Sequence, residues 1–133
     1  MHLAGDYEPL VAPLSKMNVD QLVLEFATPR AGDLGVVGRA LNNREIGLGV
    51  ANPKTEEVES VDYIVGKAEK ALQYYKPDKI FLNPDCGFGT FSGCALTTHE
   101  AATAKMKRIV EAAKLLRERH GGRAERKVGQ AVA

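Results

Sequence analysis

An α/β fold built on parallel strands is what this sequence predicts, and three observations carry the prediction. Short apolar runs alternate with longer segments of helical period, strand then helix, three times along the chain. The runs at 21–27, 46–51 and 79–83 are apolar on both faces, as strands of a helix-covered sheet must be. Strand–helix–strand order in one sheet implies parallel pairing through right-handed crossovers. The 133 residues fit one domain.

The elements follow in order. Residues 1–7 open the chain without a strand, and residues 8–17 predict a short helix interrupted by Pro13. Gln21 to Ala27 is the first strand. Leu34, Val37 and Leu41 mark a helix over 33–42, against which Gly35 and Gly38 count. Ile46 to Ala51 is the second strand, its glycines placed where another backbone can come close. Ser60 caps the next helix, with Val61, Ile64, Val65, Ala68, Ala71, Leu72 and Tyr75 on one face and Pro77 past its end. Residues 79–83 are the third strand. The last helix runs from near Thr98 to about Arg119. Its expected apolar stripe is Ala102, Met106, Ile109, Ala113 and Leu116. Lys105, Arg108, Glu111, Arg117 and Glu118 are expected to face water, with Gly121 as the stop. Residues 122–133 carry no pattern and are expected to be disordered.

Composition excludes several classes. The chain is 44% hydrophobic and 26% charged with net charge +1, so no overall basic field points to nucleic acid. No 18-residue apolar run suggests a membrane span, and the N-terminus has no signal-peptide pattern. Two cysteines, Cys86 and Cys94, make no disulfide framework, and a reducing cytoplasm is the default. Three parallel strands leave two raw edges, which makes a poor stand-alone domain. The chain is expected to be part of something larger.

Chemistry concentrates at the strand tips. Ile80-Phe-Leu-Asn-Pro-Asp-Cys-Gly-Phe-Gly89 is an apolar strand that ends abruptly. Proline stops the ladder, glycine permits a sharp turn, and Asp85 and Cys86 are left at the carboxyl end, where α/β folds place their sites. The first strand offers Glu25, and the second offers Asn52 and Lys54. His2 sits where the tip of an earlier strand would be. His, Glu and Cys are competent zinc ligands, and three protein ligands with an open position describe a catalytic zinc. Each residue also has a plain structural alternative. Cys86 can be a small buried apolar residue, Glu25 an edge residue turned to solvent, and His2 a mobile terminus. His99 and His120 read as helix-end residues, Cys94 as inert, and Tyr74 and Tyr75 as core and rim.

These segments resemble the cobalamin-independent methionine synthase family. Asn83-Pro-Asp-Cys-Gly87, preceded by Lys79-Ile-Phe-Leu, is similar to that family's terminal zinc-ligand motif. Glu45-Ile-Gly-Leu-Gly-Val50 with Val58-Glu-Ser-Val61 is similar to its preceding strand and helix entry. Val19 to Glu25 resembles the strand that supplies its glutamate ligand, and Ile109 to Lys114 its closing helix. The resemblance reaches to about His120. It implies that residues 1–121 are the C-terminal portion of a (β/α)8 barrel, about its last three to four βα units. It implies Glu25, Cys86 and His2 as zinc ligands. The sequence departs from the family at Ala4, where a second cysteine is usual, and at Lys54, where its synthases place a proton-donating histidine.

The implied activity is a zinc-dependent methyl transfer to a homocysteine-like thiol from a donor such as a methylated folate, in methionine biosynthesis. Lys54 and Asp85 are expected to touch substrate or support the site. The chain is expected to be incomplete alone, with a complementary half-barrel or its own copies as partner, and with neither nucleic acid nor membrane. Two alternatives stay open: an alkyltransferase of the coenzyme M type, and a degenerate non-catalytic half-barrel partner. A flavodoxin-like module lacks the required phosphate loop after the first strand.

Overall fold

The computed structural model describes residues 5–89, 93 and 95–121. The expectations for His2, Ala4, Cys94 and the 122–133 tail fall outside these residues. A 3-10 turn at Glu8–Leu10 runs into α1 (Val11–Ser15). Then follow β1 (Gln21–Leu24), α2 (Leu34–Leu41), β2 (Glu45–Ala51), α3 (Val61–Ala71), β3 (Ile80–Pro84) and α4 (His99–His120). Three side chains cap the longer helices: Asp33 accepts from Gly35 N, Ser60 from Tyr63 N and Thr98 from Ala101 N.

The strands pair in parallel in the order β1-β2-β3, with a register irregularity between Gly49 and Ala51. The predicted parallel α/β architecture is therefore present. β1 and β3 each keep one open edge among the described residues. The core lies on one face, where Leu22, Ile46, Leu48 and Val50 meet Val37 and Leu41 of α2, Ile64 and Val65 of α3, and Ile109 and Ala112 of α4. Register puts Val23, Gly47 and Phe81 on the other face, where Val23 is 61% exposed. The expectation that every strand is buried on both faces holds for β2 alone, because β2 is the one strand with neighbours on both sides.

Two further expectations need correction. β1 stops at Leu24, three residues short of the predicted end, because residues 25–27 take their partners from side chains. On α4 the buried stripe is Ala101, Lys105, Ile109 and Ala112, while Met106 is 42% exposed. Lys105, expected to face water, is fully buried. Its ammonium reaches Glu59 Oε2 at 3.0 Å and the Glu57 carbonyl. Burying a charge is tolerable only with such partners.

The glycines that weakened the prediction of α2 have a packing role. A Cβ on Gly38 would lie 2.6 Å from Tyr74 Cδ2 and 2.8 Å from its Cβ, so glycine is what allows α2 to meet the turn after α3. Gly66, in α3, has open space around the same position. Gly38→Ala is therefore expected to lower stability by about 1–3 kcal/mol through overpacking. Gly66→Ala should raise it by roughly 0.5–1 kcal/mol through helix propensity. Urea unfolding of the two variants checks both signs.

Candidate functional site

Glu25, Phe26 and Ala27 follow the end of β1, and side chains satisfy all six of their backbone groups. The Tyr7 hydroxyl accepts from Glu25 N at 2.9 Å and donates to Glu25 O at 3.3 Å. One oxygen of Asp85 accepts from Phe26 N at 3.0 Å and from Ala27 N at 2.8 Å. The Lys67 ammonium donates to Phe26 O and rests 5.2 Å from the Tyr63 ring centroid. Tyr63 in turn donates to Ala27 O at 3.1 Å. The Phe26 ring packs on Tyr7 with centroids 5.1 Å apart. Buried backbone groups need partners, and this tip obtains them from β3, α3 and the N-terminal segment.

Asp85 reaches the β1 tip by crossing β2, and Gly49 makes the crossing possible. A Cβ at Gly49 would collide with Asp85 Oδ1 and stand 2.9 Å from Leu24 O and 3.0 Å from Phe26 N. Asp85 N also bonds Ala51 O at 3.0 Å, so the residue is tied to β2 by its backbone and to the β1 tip by its side chain. Burial pushes the Asp85 carboxyl up. The two amide bonds pull it back, Glu25 pushes it up again, and Lys67 lowers it.

The three tips bound a cleft of about 660 Å³, lined by Tyr7, Glu25, Arg30, Asn52, Lys54 and Asp85 among others. Cys86 is exposed beside it and carries a free thiol. Desolvation pushes that thiol up, and the charges of Glu25 and Asp85 act in the same direction, against Lys54. Burial likewise raises the Tyr7 hydroxyl, helped by the charges of Glu25 and Asp85 and opposed by its bond to the Glu25 carbonyl. The cleft wall carries the carboxylates of Asp6, Glu25 and Asp85 against Arg30 and Lys54, and the Cys86 sulfur lies near enough to feel Glu25, Asp85 and Lys54. That set of donors suits a cation such as zinc. Glu25 and Cys86 are two of the donors expected from sequence. Among the described residues no third His, Cys, Asp or Glu completes a metal-holding group with them, and His2 lies outside those residues.

The structure thus brings Glu25, Lys54, Asp85 and Cys86 to one side of the sheet. Glu25 is exposed just past β1 rather than on the strand. Asp85 is engaged with backbone amides, which makes it a brace of the site. Cys86 is exposed, which removes its reading as a buried apolar residue. His99 is the first residue of α4 and His120 meets Glu69 at 3.0 Å, both away from the cleft. Sequence reasoning missed Tyr7, Tyr63 and Lys67. They stand on a loop and a helix face with no motif, and only their partners reveal them.

The family profile described as "Cobalamin-independent synthase, Catalytic domain" matches residues 2–115. The methionine synthase of Pyrococcus horikoshii (strain OT-3) is 32% identical over 113 residues, covering 85% of this chain and 31% of that protein. That of Saccharolobus islandicus (strain L.S.2.15) is 29% identical over 119 residues, covering 89% and 34%. The chain therefore spans about a third of the length of these relatives. A solved structure of a B12-independent methionine synthase from Shewanella sp. W3-18-1, in complex with selenomethionine, superposes with a TM-score of 0.71 at 19% identity. It covers 85% of this chain and 31% of that one. The parallel strands and their helices are accordingly a sector of a (β/α)8 barrel.

If Asp85 braces the β1 tip, Asp85→Ala should cost about 1–3 kcal/mol by leaving two amides without a partner. Asp85→Asn keeps an acceptor oxygen and should lose less than half as much. Chemical denaturation of the two variants tests the difference.

Proposed function

The chain belongs to the catalytic-domain family of the cobalamin-independent synthases, and from that premise we propose that it is the zinc-binding sector of a thiol methyltransferase of the methionine-forming kind. The observation that carries this reading is the convergence of Glu25 and Cys86. They follow the tips of β1 and β3, on opposite sides of β2; Asp85 ties the two tips together, and the Glu25 charge is felt at the Cys86 sulfur. Glu25 and Cys86 would hold the metal, with His2 as a third ligand. Zinc, when bound, would stabilise a substrate thiol as its thiolate.

The chain's own residues do the rest. Tyr7 fixes the backbone of Glu25, and Asp85 sets the distance between the tips. Lys54, on the wall of the cleft, offers a positive charge to an anionic group of the substrate. The substrate class is a homocysteine-like thiol and the donor a methylated folate, both taken from the family and acting in a soluble compartment such as the cytoplasm. No helix among the described residues is long and apolar enough to cross a membrane.

The reading includes a partner. An apolar groove of about 330 Å³ runs between β3 and α4, lined by Leu72, Ile80, Phe81, Met106, Val110 and Leu116. It adjoins the open edge of β3, and Val23 lies exposed by the open edge of β1. In relatives three times as long, more chain is available to close such edges, and a complementary part of the barrel is the occupant these features suit. The chain by itself is then expected to self-associate in sedimentation at micromolar concentration. A cooperatively unfolding monomer there would count against the partner.

Zinc titration against a competing chelator tests the metal claim. The chain should bind zinc weakly, since Ala4 stands where a second thiolate is usual in the family. Cys86→Ser should abolish binding, Glu25→Gln should weaken it by about tenfold or more, and Ala4→Cys should tighten it. Equal binding by Cys86→Ser and the parent would favour the other reading, a non-catalytic half-barrel partner. The substitution at Ala4 is the observation that keeps that reading in play.

A further inference from the structure

Lys105 has no part in the ligand set or the cleft, yet it is the largest side chain that the fold buries completely. Its ammonium lies inside the β2–α3 connection, where it meets Glu59 Oε2 at 3.0 Å and the Glu57 carbonyl. The other oxygen of Glu59 accepts from Asn52 N at 2.7 Å, and the Asn52 side chain accepts from Lys54 N at 3.0 Å. Thr97, just before α4, donates to the Pro53 carbonyl. Pro53 is therefore fixed directly by the residue leading into α4, Asn52 by α4 through Glu59, and Lys54 by α4 through Glu59 and Asn52.

We infer that Lys105 is a positioning residue, which acts through Glu59 and Asn52 to hold Lys54 on the cleft wall. The arrangement has a physical reason. The segment from Asn52 to Ser60 has no ladder or helix to fix it. A buried ion pair is an expensive way to gain stability, because desolvation offsets most of its attraction. Its strength is in geometry: a buried ammonium demands its partners, so it tolerates few loop conformations. Asn52 then passes that constraint to the backbone of Lys54. Lys54 is close enough for its charge to be felt at the Cys86 sulfur. The inference rests on the cleft as the site, and it requires neither zinc nor methyl transfer.

The test reads the charge that Cys86 experiences. In a Cys94→Ser background, with chelator present, the alkylation rate of Cys86 is measured with anionic iodoacetate and with neutral iodoacetamide. Their ratio cancels the fraction of thiolate and reports the local field. Lys54→Gln should lower the ratio by about threefold at low salt, with the difference shrinking at high salt. Lys105→Met, which also leaves the Glu59 carboxylate unpaired, should produce most of the same fall, and combining it with Lys54→Gln should add little. Glu59→Gln breaks the ion pair with little change in side-chain volume and leaves the loop one unit more positive, so a fall in the ratio there reports displaced geometry and not charge; it covers the case in which Lys105→Met fails to fold, and a rise would overturn the inference. A ratio that responds to Lys54→Gln but not to Lys105→Met or Glu59→Gln would leave Lys105 purely structural and overturn the inference. So would a ratio indifferent to Lys54→Gln. Zinc titration is independent of both outcomes, so failure of the metal reading stays separate.

Discussion

Three residues past the end of β1 run beside β2 without joining its ladder, and the site depends on how their backbone is satisfied. Glu25, Phe26 and Ala27 bond to Tyr7, Asp85, Lys67 and Tyr63. A ladder would have carried these residues on as strand and alternated their side chains. Side-chain bonding instead ends the strand and leaves Glu25 exposed at the cleft. Asp85 is central because its backbone bonds β2 while its side chain bonds the residues past β1. It spans β2 only because Gly49 has no side chain. The relation between the two outermost tips is thus set by one carboxylate and one absent methyl group.

This explains a tension in the electrostatics. Beyond the effect of burial, Glu25 raises the proton affinity of Asp85 and of the Cys86 sulfur, and Asp85 adds to that of Cys86. A fold that only needed stability would spread such groups apart. Here they are held together by bonds that leave little freedom, and Lys67 and Lys54 offset the charge in part. Clusters of this kind are more common at functional sites than elsewhere.

The wall opposite the brace is built on a different principle. Asn52 to Lys54 hang from a buried ion pair and a threonine on the α4 side, so α4 supports the cleft from behind while β3 supports it from within. α4 itself is capped at Thr98 and ends at Gly121, whose φ of 72° suits glycine. Along that helix Met106 and Val110 remain exposed toward the groove on β3. The molecule therefore has a well-determined site face and a less complete sheet, with apolar surface at its margins.

The sequence by itself determined the strand–helix alternation, the parallel pairing and the carboxyl-end location of Glu25, Lys54, Asp85 and Cys86. Those features depend on local period and on punctuation by proline and glycine, which are written in consecutive residues. It also carried the family resemblance, since the Asn83 to Gly87 motif and its neighbours are short and contiguous. What it could not determine was the role of each residue. Asp85 read as a group that touches substrate or supports the site, and its bonds to amides 58 and 59 residues away are what the sequence did not show. Lys105 read as solvated and proved to be fully buried, because helical period marks a face as polar without showing what partner waits there. Gly38 read as a defect in a helix and proved to be a contact, because the ring of Tyr74 comes from another turn. Pairings across many residues arise only when the chain is folded, so the tertiary structure alone decided which polar groups brace the site and which face it.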